Sequence, residues 1–516
     1  MSGNDPSVVV AAELGLLSDA RLALQRLLIT FVPSTPGFAA GFATLGDYGP
    51  VNARRAMVLT PTNYRSRLEA AGAASDEPIW RALDAFWNPR GALDISGSRT
   101  PDPVALTDYI VIGTRELADP TSWNLDVTSN AVGFITVTID PQGSGDGTAR
   151  ILTERAQVVV ESDGVKTIAD LRDEIVAGLT AIAAFTSVAT AAPGGPADLD
   201  VDTIADGYPL IVRVSVTAGG PTYALVNNTP YPALSWETDF DDVRQAVETD
   251  GLGARAFWHV HDLQGLDALN LAAANYMDTL AAATVPAQYI YWAWSYSLEN
   301  FDPLAVGSPA EVWRTAAFTR ASLWDHDLAE NLVPALLGRA LGYRPGEVVF
   351  SALELNGSVD AAIITKRAKG ANEYLANEEN RSFNFYSGDG PAGETKWGLL
   401  PAARQATPQW IDNTWLTDWL KFVCERDLAT WKRSKSIVTY TDDEIVAGGE
   451  VLRDSAAAVP AILADTVTVS FLTRAMVSPA DRQARRYNYW VVDAEGAGAM
   501  VRLGQTTFPI KVNVSV

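Results

Sequence analysis

Cysteine, histidine and basic residues are scarce in this chain of 516 residues. Its only cysteine is Cys424, which excludes a disulfide within the chain, and it has three histidines. Lys and Arg number 39 against 62 Asp and Glu, so the formal net charge is −23. Such a chain would repel a nucleic acid or an anionic membrane surface, because binding to either depends on clustered cations. We therefore expect a partner other than nucleic acid.

The chain also lacks a recognisable signal and a stretch typical of a membrane span. Its first residues, Met-Ser-Gly-Asn-Asp, have neither the basic nor the apolar region of a secretory signal, so we expect folding in a cytoplasm. The charge-free stretch 177–197 is rich in Thr, Gly and Pro and begins as an amphipathic helix. No direct membrane insertion is predicted. With 47% hydrophobic and 20% charged residues, the composition is that of a globular protein.

Local patterns divide the chain into five segments. Residues 1–37 combine a β-branched run, a leucine-rich helical pattern and closing prolines, and they are predicted to form an N-terminal arm. Residues 38–116 and 234–504 are predicted to form a body of α/β type with a C-terminal α+β subdomain. Residues 117–233 are predicted to form an inserted outer α+β domain, and residues 505–516 a C-terminal strand arm. The expected fold is thus a multidomain mixture of α/β and α+β.

The body carries the pattern of βαβ units. Buried strands are predicted at 56–59 and 109–113, with a helix at 79–86 between them. Strand and helix patterns also alternate after residue 234, with strands at 256–259 and 288–294 and helices at 263–282, 328–341 and 412–432. Such alternation favours parallel strand pairing.

The predicted inserted domain begins with a hairpin signal. Residues 132–139 alternate apolar and polar side chains and then run into a glycine-rich segment, which is typical of a β-hairpin. Thr167 and Asp170 have the spacing of an N-cap box at the start of an amphipathic helix. One sheet covered by one helix is the expected architecture of this segment.

Both ends of the chain carry apolar runs that suit strands. The run near the start consists of Val8, Val9 and Val10. The closing strand alternates up to the last residue of the sequence, and its one face consists of Phe508, Ile510, Val512, Val514 and Val516. We expect this strand to lack a hairpin partner within the chain and to join a sheet of a neighbouring copy by β-augmentation. These residues form the predicted strand-exchange site.

The densest basic cluster of this acidic chain lies shortly before the closing strands. Its charged members are Asp481, Arg482, Arg485 and Arg486. Two interpretations remain open for them, a solvated turn between strands and a contact in which they form ion pairs with an acidic neighbouring copy.

A possible metal site is formed by His259, His261 and Asp262, because alternate residues of a strand put both imidazoles on one face. The alternative is a strand end at which the imidazoles pack and form hydrogen bonds. A third ligand with a recognisable spacing is absent, and only His326 could join from elsewhere. We therefore expect no metal or other cofactor and no enzymatic activity. A metal-dependent enzyme is the alternative from a different functional class.

Two further motifs favour structural roles. Gly388 and Gly393 have the spacing of the glycines in a phosphate-binding loop, but Glu394 puts a carboxylate at the position of that motif's lysine, where it would repel a phosphate. Cys424 lies within an apolar helical pattern, which is typical of a buried, unreactive thiol.

The C-terminal part resembles the corresponding domain of contractile-tail sheath proteins of bacteriophages, in particular the DUF3383-like branch. The resemblance rests on a Trp/Leu-rich helix at 415–420, the turn Tyr440-Thr441-Asp442 before a second helix, the Asp481–Arg486 segment and the closing strand. Upstream, residues 38–46 resemble an early strand of that family, residues 371–374 the end of one of its helices, and residues 134–226 the decorating domain that many sheaths carry.

The resemblance implies a structural protein of the virion. Sheath subunits polymerise as stacked hexameric rings around a tail tube and then contract, driving the tube through the host envelope. The implied partners are further copies of this chain, the tail tube protein, and the baseplate and tail terminator proteins, and assembly would take place in the host cytoplasm. Another tail or baseplate component, or the sheath of a phage-derived injection device, is the alternative within the structural class.

Overall fold

The structure is a computed structural model. The residues that it describes are 26–31, 33, 37–49, 54–75, 77–87, 109–114, 122–141, 156–186, 189–203, 210–227, 233–249, 257–263, 267–283, 289–295, 309–325, 332–341, 343, 345, 348, 350, 353, 355, 384–387, 394–396, 410–435, 438–483, 487, 489–497 and 507–514. Over these residues, every helix is too short or too polar to cross a membrane.

The described strands are, in chain order, β1 (Leu27–Phe31), β2 (Ala56–Leu59), β3 (Ile110–Thr114), β4 (Ser122–Val127), β5 (Gly133–Pro141), β6 (Ala156–Ser162), β7 (Ala189–Pro193), β8 (Asp198–Thr203), β9 (Leu210–Val216), β10 (Tyr223–Asn227), β11 (His259–Asp262), β12 (Ile290–Ser295), β13 (Ala321–Asp325), β14 (Asn384–Ser387), β15 (Glu394–Lys396), β16 (Thr468–Ser470), β17 (Trp490–Ala497) and β18 (Thr507–Val514).

The described α-helices are α1 (Phe38–Leu45), α2 (Tyr64–Ala70), α3 (Pro78–Trp87), α4 (Ile168–Thr180), α5 (Ala183–Thr186), α6 (Ala233–Arg244), α7 (Asp267–Ala282), α8 (Pro309–Ala316), α9 (Leu332–Ala340), α10 (Ile411–Ser434), α11 (Asp442–Ala457) and α12 (Pro479–Gln483). A π-helical stretch, Gln245–Thr249, continues α6, and a 3-10 turn, Ala464–Thr466, follows α11.

The largest sheet, here called the main sheet, has eight strands in the order β2-β3-β1-β11-β12-β13-β14-β15. Its six inner strands are parallel, and the edge strands β2 and β15 pair antiparallel with their neighbours. Parallel neighbours need a crossover connection, and helices α7 and α8 lie between β11, β12 and β13 in the chain. The predicted βαβ alternation is confirmed for these strands.

Two hydrophobic cores cover the two faces of the main sheet. Because alternate residues of a strand point to opposite faces, Leu27, Ile29 and Phe31 of β1 belong to one core and Leu28 to the other. The first core includes residues of α1, α3 and α9, and the second includes residues of α6, α7 and α8. This burial on both faces explains why β1, β3 and β12 are apolar almost throughout.

The prediction of an N-terminal arm up to residue 37 was wrong for 27–31. These residues form β1, which pairs with β11 on one side and β3 on the other and is at most 1% exposed. A short apolar run fits a buried strand as well as a helix, and the leucine spacing favoured the helix. The strand expected at 38–46 is also wrong, because α1 places Phe38 and Phe42, one turn apart, in the core.

The predicted inserted domain, residues 117–233, contains two sheets rather than the expected single sheet. Their strand orders are β10-β4-β8-β7 and β6-β5-β9, and residues of both sheets and of α4 share one hydrophobic core. The expected hairpin pairing is confirmed, since β5 pairs antiparallel with β6. Strand β8 was missed because it reads Asp-Leu-Asp-Val-Asp-Thr, and only Leu199 and Val201 reveal its buried face.

Helix α4 begins at the predicted N-cap box. The hydroxyl of Thr167 accepts a hydrogen bond from the Asp170 amide, and the Asp170 carboxylate accepts one from the Thr167 amide at 2.9 Å. These bonds satisfy two backbone donors at the helix start and fix its register. In that register Leu171, Ile175 and Leu179 are buried against the sheets.

Helices α10, α11 and α12 and strands β16, β17 and β18 form what we call the C-terminal unit. Its longest helix, α10, bridges two cores, because Ile411 and Trp415 belong to the first core of the main sheet and Leu420 belongs to that of the C-terminal unit. Arg320, just before β13, donates two hydrogen bonds to the Asp418 carboxylate on α10, whose side chain is 2% exposed. The main sheet and the C-terminal unit are therefore joined by both apolar and ionic contacts.

The closing strand has a partner within the chain, so the expectation that it lacks one was wrong. Strand β18 pairs antiparallel with β17, with Trp490 opposite Val514 and Ala497 opposite Thr507. The strand pattern at the end of the chain correctly predicted β18 itself. Period-two alternation identifies a strand but carries no information about the strand with which it pairs.

Candidate assembly surface

The C-terminal unit contains those predicted assembly residues that the structure describes. The members of the predicted set that lie outside the described residues are Val8, Val9, Val10, Arg485, Arg486 and Val516. The members within β18 are Phe508, Ile510, Val512 and Val514, and those within α12 are Asp481 and Arg482. The structure thus brings the closing strand and the start of the basic cluster into one folded unit.

Strand β18 is at the edge of a three-stranded antiparallel sheet with the order β16-β17-β18. Among the described residues no strand pairs with its outer side. An edge strand presents a row of backbone donors and acceptors to which another chain can add a strand. Pro509 fits this position, because proline lacks a backbone N–H and is found in sheets mainly at their edges. This proline was the sequence signal for an edge strand.

Strand β17 is firmly held, so it offers β18 a fixed platform. Trp490 is 5% exposed, and its indole N–H donates a hydrogen bond to the Ile445 carbonyl of α11 at 3.0 Å. Val492 and Ala494 follow on the same face and are buried in the core of the C-terminal unit. Strand exchange at this sheet would therefore leave β17 in place and replace β18, together with the contacts that β18 makes with α10.

The start of the basic cluster is a short capped helix. The Ser478 hydroxyl accepts a hydrogen bond from the Asp481 amide at 3.1 Å and donates one to the Asp481 carboxylate at 2.6 Å. Tyr489 also donates to that carboxylate, and this bond raises the pKa of the Tyr489 hydroxyl. Asp481 therefore serves to order this turn, whereas Arg482 reaches the Arg474 carbonyl at 3.4 Å.

A cavity of about 420 Å³ opens between the end of α10, the start of α11 and β17. Four aromatic residues line it, Trp431, Tyr440, Tyr487 and Trp490, and the ring centroids of the last two are 4.3 Å apart. Burial raises the pKa of Tyr487 to about 12, so this phenol is neutral at physiological pH, and it donates a hydrogen bond to the Leu472 carbonyl. No sequence pattern predicted this cavity, because its residues are distant in the chain.

The rim of this aromatic cavity carries more positive than negative charge. Lys432 and Arg482 contribute to the lining, and Glu444 is the carboxylate there. Glu444 forms an ion pair with Lys435, whose ammonium group lies 4.6 Å from the centroid of the Trp431 ring. The local balance contrasts with that of the whole chain, in which acids outnumber bases.

The histidines of the possible metal site form internal hydrogen bonds in β11. Nδ1 of His261 donates to the Trp292 carbonyl at 2.6 Å, since a carbonyl can only accept. Nδ1 of His259 instead accepts from the Trp292 indole N–H at 3.1 Å. Asp262 accepts from the Thr30 hydroxyl at 2.6 Å. Both imidazoles are almost fully buried, and burial lowers the pKa of His261 to about 4.

These contacts correspond to the packing interpretation of the two histidines. Within the described stretches no group of three His, Cys, Asp or Glu side chains is placed to hold a metal ion, and His326 is outside those stretches. Cys424 is fully buried, and burial raises the pKa of its thiol to about 12, which confirms the predicted buried thiol. In the glycine-rich segment, Glu394 belongs to the edge strand β15, whereas Gly388 and Gly393 are not described.

The sequence matches no protein-family model, and a search of curated proteins finds no match. Among solved structures, the chain is similar to a chain of the anti-feeding prophage baseplate, a sixfold-symmetrised cryo-EM structure. The TM-score is 0.35 at 14% identity, over 58% of this chain and 74% of that chain. A TM-score of 0.35 is too low to show a common fold.

Proposed function

We propose that this chain is a structural subunit of a contractile bacteriophage tail sheath. Copies would polymerise as stacked hexameric rings around the tail tube and contract to drive the tube through the host envelope. Its partners would be other copies, the tail tube protein, and the baseplate and tail terminator proteins. It would belong to the virion after assembly in the host cytoplasm. The proposed role needs no cofactor and no enzymatic activity.

One observation carries this proposal. The segments on which the sequence resemblance rests, at 415–420, 440–442 and 481–482 and in the closing strand, fold together as the C-terminal unit, which ends in the edge strand β18. An edge strand at the end of a folded unit can pair with its own hairpin partner or with that of a neighbour, since both pairings use the same backbone hydrogen bonds. Such exchange would link subunits while leaving their bodies free to change contacts.

Contraction would require two arrangements of the same bodies, with the extended arrangement metastable. The energy would then be stored in the contacts between subunits. The bond between Arg320 and Asp418 supports the movement of the main sheet and the C-terminal unit as one body, because a buried ion pair is costly to separate. The changing contacts would lie outside this joint.

Electron microscopy of the purified, negatively stained protein tests the proposal. A sheath subunit should form long striated cylinders at high protein concentration. Persistent small oligomers would contradict the sheath role and favour another tail or baseplate component. Deletion of residues 507–516 should prevent cylinder formation while the remaining chain stays folded and in solution. Unfolding or aggregation of that variant would mean that β18 is needed for the fold of the single chain.

A disulfide experiment tests strand exchange directly. Val491 and Asn513 are opposite each other in β17 and β18, on the face away from the buried Val492, and opposed strand residues are close enough for a disulfide. In the double variant Val491→Cys/Asn513→Cys, oxidation of assembled particles should give covalent multimers on a non-reducing gel. Each single variant is the control. Particles that give only a bond within one chain would contradict exchange.

A further inference from the structure

We infer that the aromatic cavity of the C-terminal unit is a docking site for a second copy of this chain, which inserts a bulky apolar side chain next to a carboxylate. The inference rests on the proposed assembly function and adds a contact to it. The cavity is enclosed by the end of α10, the start of α11 and the first residue of β17.

The lining of the cavity suits an apolar side chain. Trp431, Tyr440, Tyr487 and Trp490 present ring surface, and the Tyr440 and Tyr487 ring centroids are 6.0 Å apart. The indole N–H of Trp490 is already bonded to the Ile445 carbonyl, so this polar group needs no partner from an occupant. Burial of a leucine-sized or aromatic side chain in a cavity of about 420 Å³ with such walls would be favourable, because it removes apolar surface from water.

The charges around the opening favour an acidic partner. Lys432 is exposed in the last turn of α10, and Arg482 lies on the side of α12. Glu444, the acid of the lining, is paired with Lys435, which leaves Lys432 and Arg482 as the cations there that can attract a carboxylate of a partner. A second copy carries 62 Asp and Glu against 39 Lys and Arg, so it offers many carboxylates with which these two cations can pair.

The position of the cavity links it to the candidate edge. Trp490 lines the cavity and is also the first residue of β17, where it is opposite Val514 of β18. A neighbour that approaches the edge of β18 therefore comes close to the cavity as well. Strand pairing would supply adhesion through backbone groups, and the cavity would add selection by side-chain size and charge.

Charge reversal tests the rim. Lys432→Glu/Arg482→Glu should raise the protein concentration needed for assembly by about tenfold, the effect of losing a modest electrostatic attraction at each contact. The control Arg65→Glu/Arg453→Glu changes the net charge by the same amount at two exposed arginines outside the cavity lining. It should raise that concentration by less than about twofold, because it adds only general repulsion. Equal effects of the two variants would overturn the inference.

Photo-crosslinking tests the occupant. Val438 lines the cavity and is 37% exposed, whereas Val446 on α11 is 41% exposed and does not line it. With benzoylphenylalanine at position 438, irradiation of assembled protein should link two copies, and mass spectrometry should find the link in an acidic segment. The same group at 446 should give few links. Absence of links from 438 in assembled particles would overturn the inference.

The failure of this inference can be distinguished from failure of the proposed function. Striated cylinders without links from position 438 would leave the sheath role intact and remove the docking site. Links from position 438 in small oligomers that never form cylinders would support the docking site and contradict the sheath role. The circular dichroism spectrum of each variant shows whether it has folded before either result is interpreted.

Discussion

The main sheet and the sheet of the C-terminal unit differ in how their strands pair and in which parts of the chain they join. The main sheet joins strands from residue 27 to residue 396, has six parallel inner strands and is covered by a hydrophobic core on each face. The sheet of the C-terminal unit joins three antiparallel strands and ends in the last described strand of the chain. Long-range parallel pairing suits a permanent body. A terminal antiparallel strand can exchange its partner without disturbing that body.

The two sheets also differ in how their strands are buried. All six residues of β12 are buried, whereas β16 has an exposed, half-buried, exposed pattern. The main sheet is therefore stabilised by its own side chains on both faces. Strand β17 owes its position to the helices beneath it, through contacts such as the hydrogen bond from Trp490 to Ile445. Substitutions at the contact between the two sheets or within the body should therefore lower the free energy of unfolding more than substitutions at the open edge.

The largest effect is expected at the joint between the two sheets. Asp418→Ala leaves the Arg320 guanidinium buried without its bidentate partner, and we expect a loss of about 4 kcal/mol in the free energy of unfolding. Calorimetry should show the single transition split in two, as the C-terminal unit melts before the main sheet. A single transition with an unchanged midpoint would contradict the proposed joint.

Two variants control this prediction. Arg320→Leu/Asp418→Leu removes both charges and should recover most of the loss, because no unpaired charge remains buried. Glu174→Ala breaks the solvent-screened pair with Lys166 and should leave the free energy of unfolding almost unchanged. A larger loss of stability for Glu174→Ala than for Asp418→Ala would contradict the assignment of the joint to Arg320 and Asp418.

The next effect is expected within the body, where two helices meet at a glycine. A Cβ atom on Gly338 of α9 would lie 1.9 Å from the Phe86 carbonyl oxygen of α3, and a backbone atom cannot move away easily. Gly338→Ala should therefore cost about 3 kcal/mol in urea denaturation. Gly448→Ala in the C-terminal unit is the matched change, because its Cβ would meet the Trp490 ring at 2.8 Å. It should cost about 1 kcal/mol, and the opposite order would contradict the comparison.

A third effect is expected from the neutral histidine in the main sheet. The folded pKa of His261 is about 4, below its ordinary 6.5, so as the pH falls the unfolded chain takes up a proton before the folded chain does. Stability should fall through the window from 6.5 to 4, with a loss of about 2 kcal/mol at pH 5 relative to pH 7.5. Urea denaturation at both pH values measures this loss. His261→Gln should show a smaller loss, and an equal loss would assign the pH dependence to other groups.

The sequence predicted those elements whose pattern is local and regular. Strand β12 and helix α10 came within two residues of their observed bounds, and the N-cap box of Thr167 and Asp170 was correct. Strand β1 was missed because its short, mostly apolar run of five residues fits two periodicities, and only its neighbours β3 and β11 decide between them. The sequence therefore predicted the fold class of the body but not β1, one of the inner strands of its main sheet.

The candidate site was predictable only in part, and for the same reason. The alternation of the closing segment predicted β18, but its pairing with β17 depends on where the intervening chain brings the two strands. The sequence did not predict the aromatic cavity, because its four aromatic side chains come together only after α10, α11 and β17 have packed. These residues are Trp431, Tyr440, Tyr487 and Trp490. A pattern within one helix or strand can be recognised in the sequence, whereas contacts between elements depend on the whole fold.

The smallest effect expected is that of salt on assembly, and it concerns the contacts between copies rather than the body of one copy. A net charge of −23 is repeated on every copy, so the copies repel one another at each contact. Screening shortens the range of this repulsion from about 10 Å at 0.1 M salt to about 3 Å at 1 M. We therefore expect polymerisation to strengthen with added NaCl, as measured by sedimentation, while the unfolding midpoint of the body changes little.

Weaker assembly at high salt would show that attractive ion pairs dominate the contact. The variant Lys432→Glu/Arg482→Glu sharpens this test, because both cations lie at the aromatic cavity and their loss removes an attraction that salt would also weaken. Wild-type assembly then reflects two opposing effects of salt, and assembly of the variant reflects repulsion alone. The variant should accordingly gain more from added salt than the wild-type chain does. An equal gain would place the attractive contacts elsewhere on the surface.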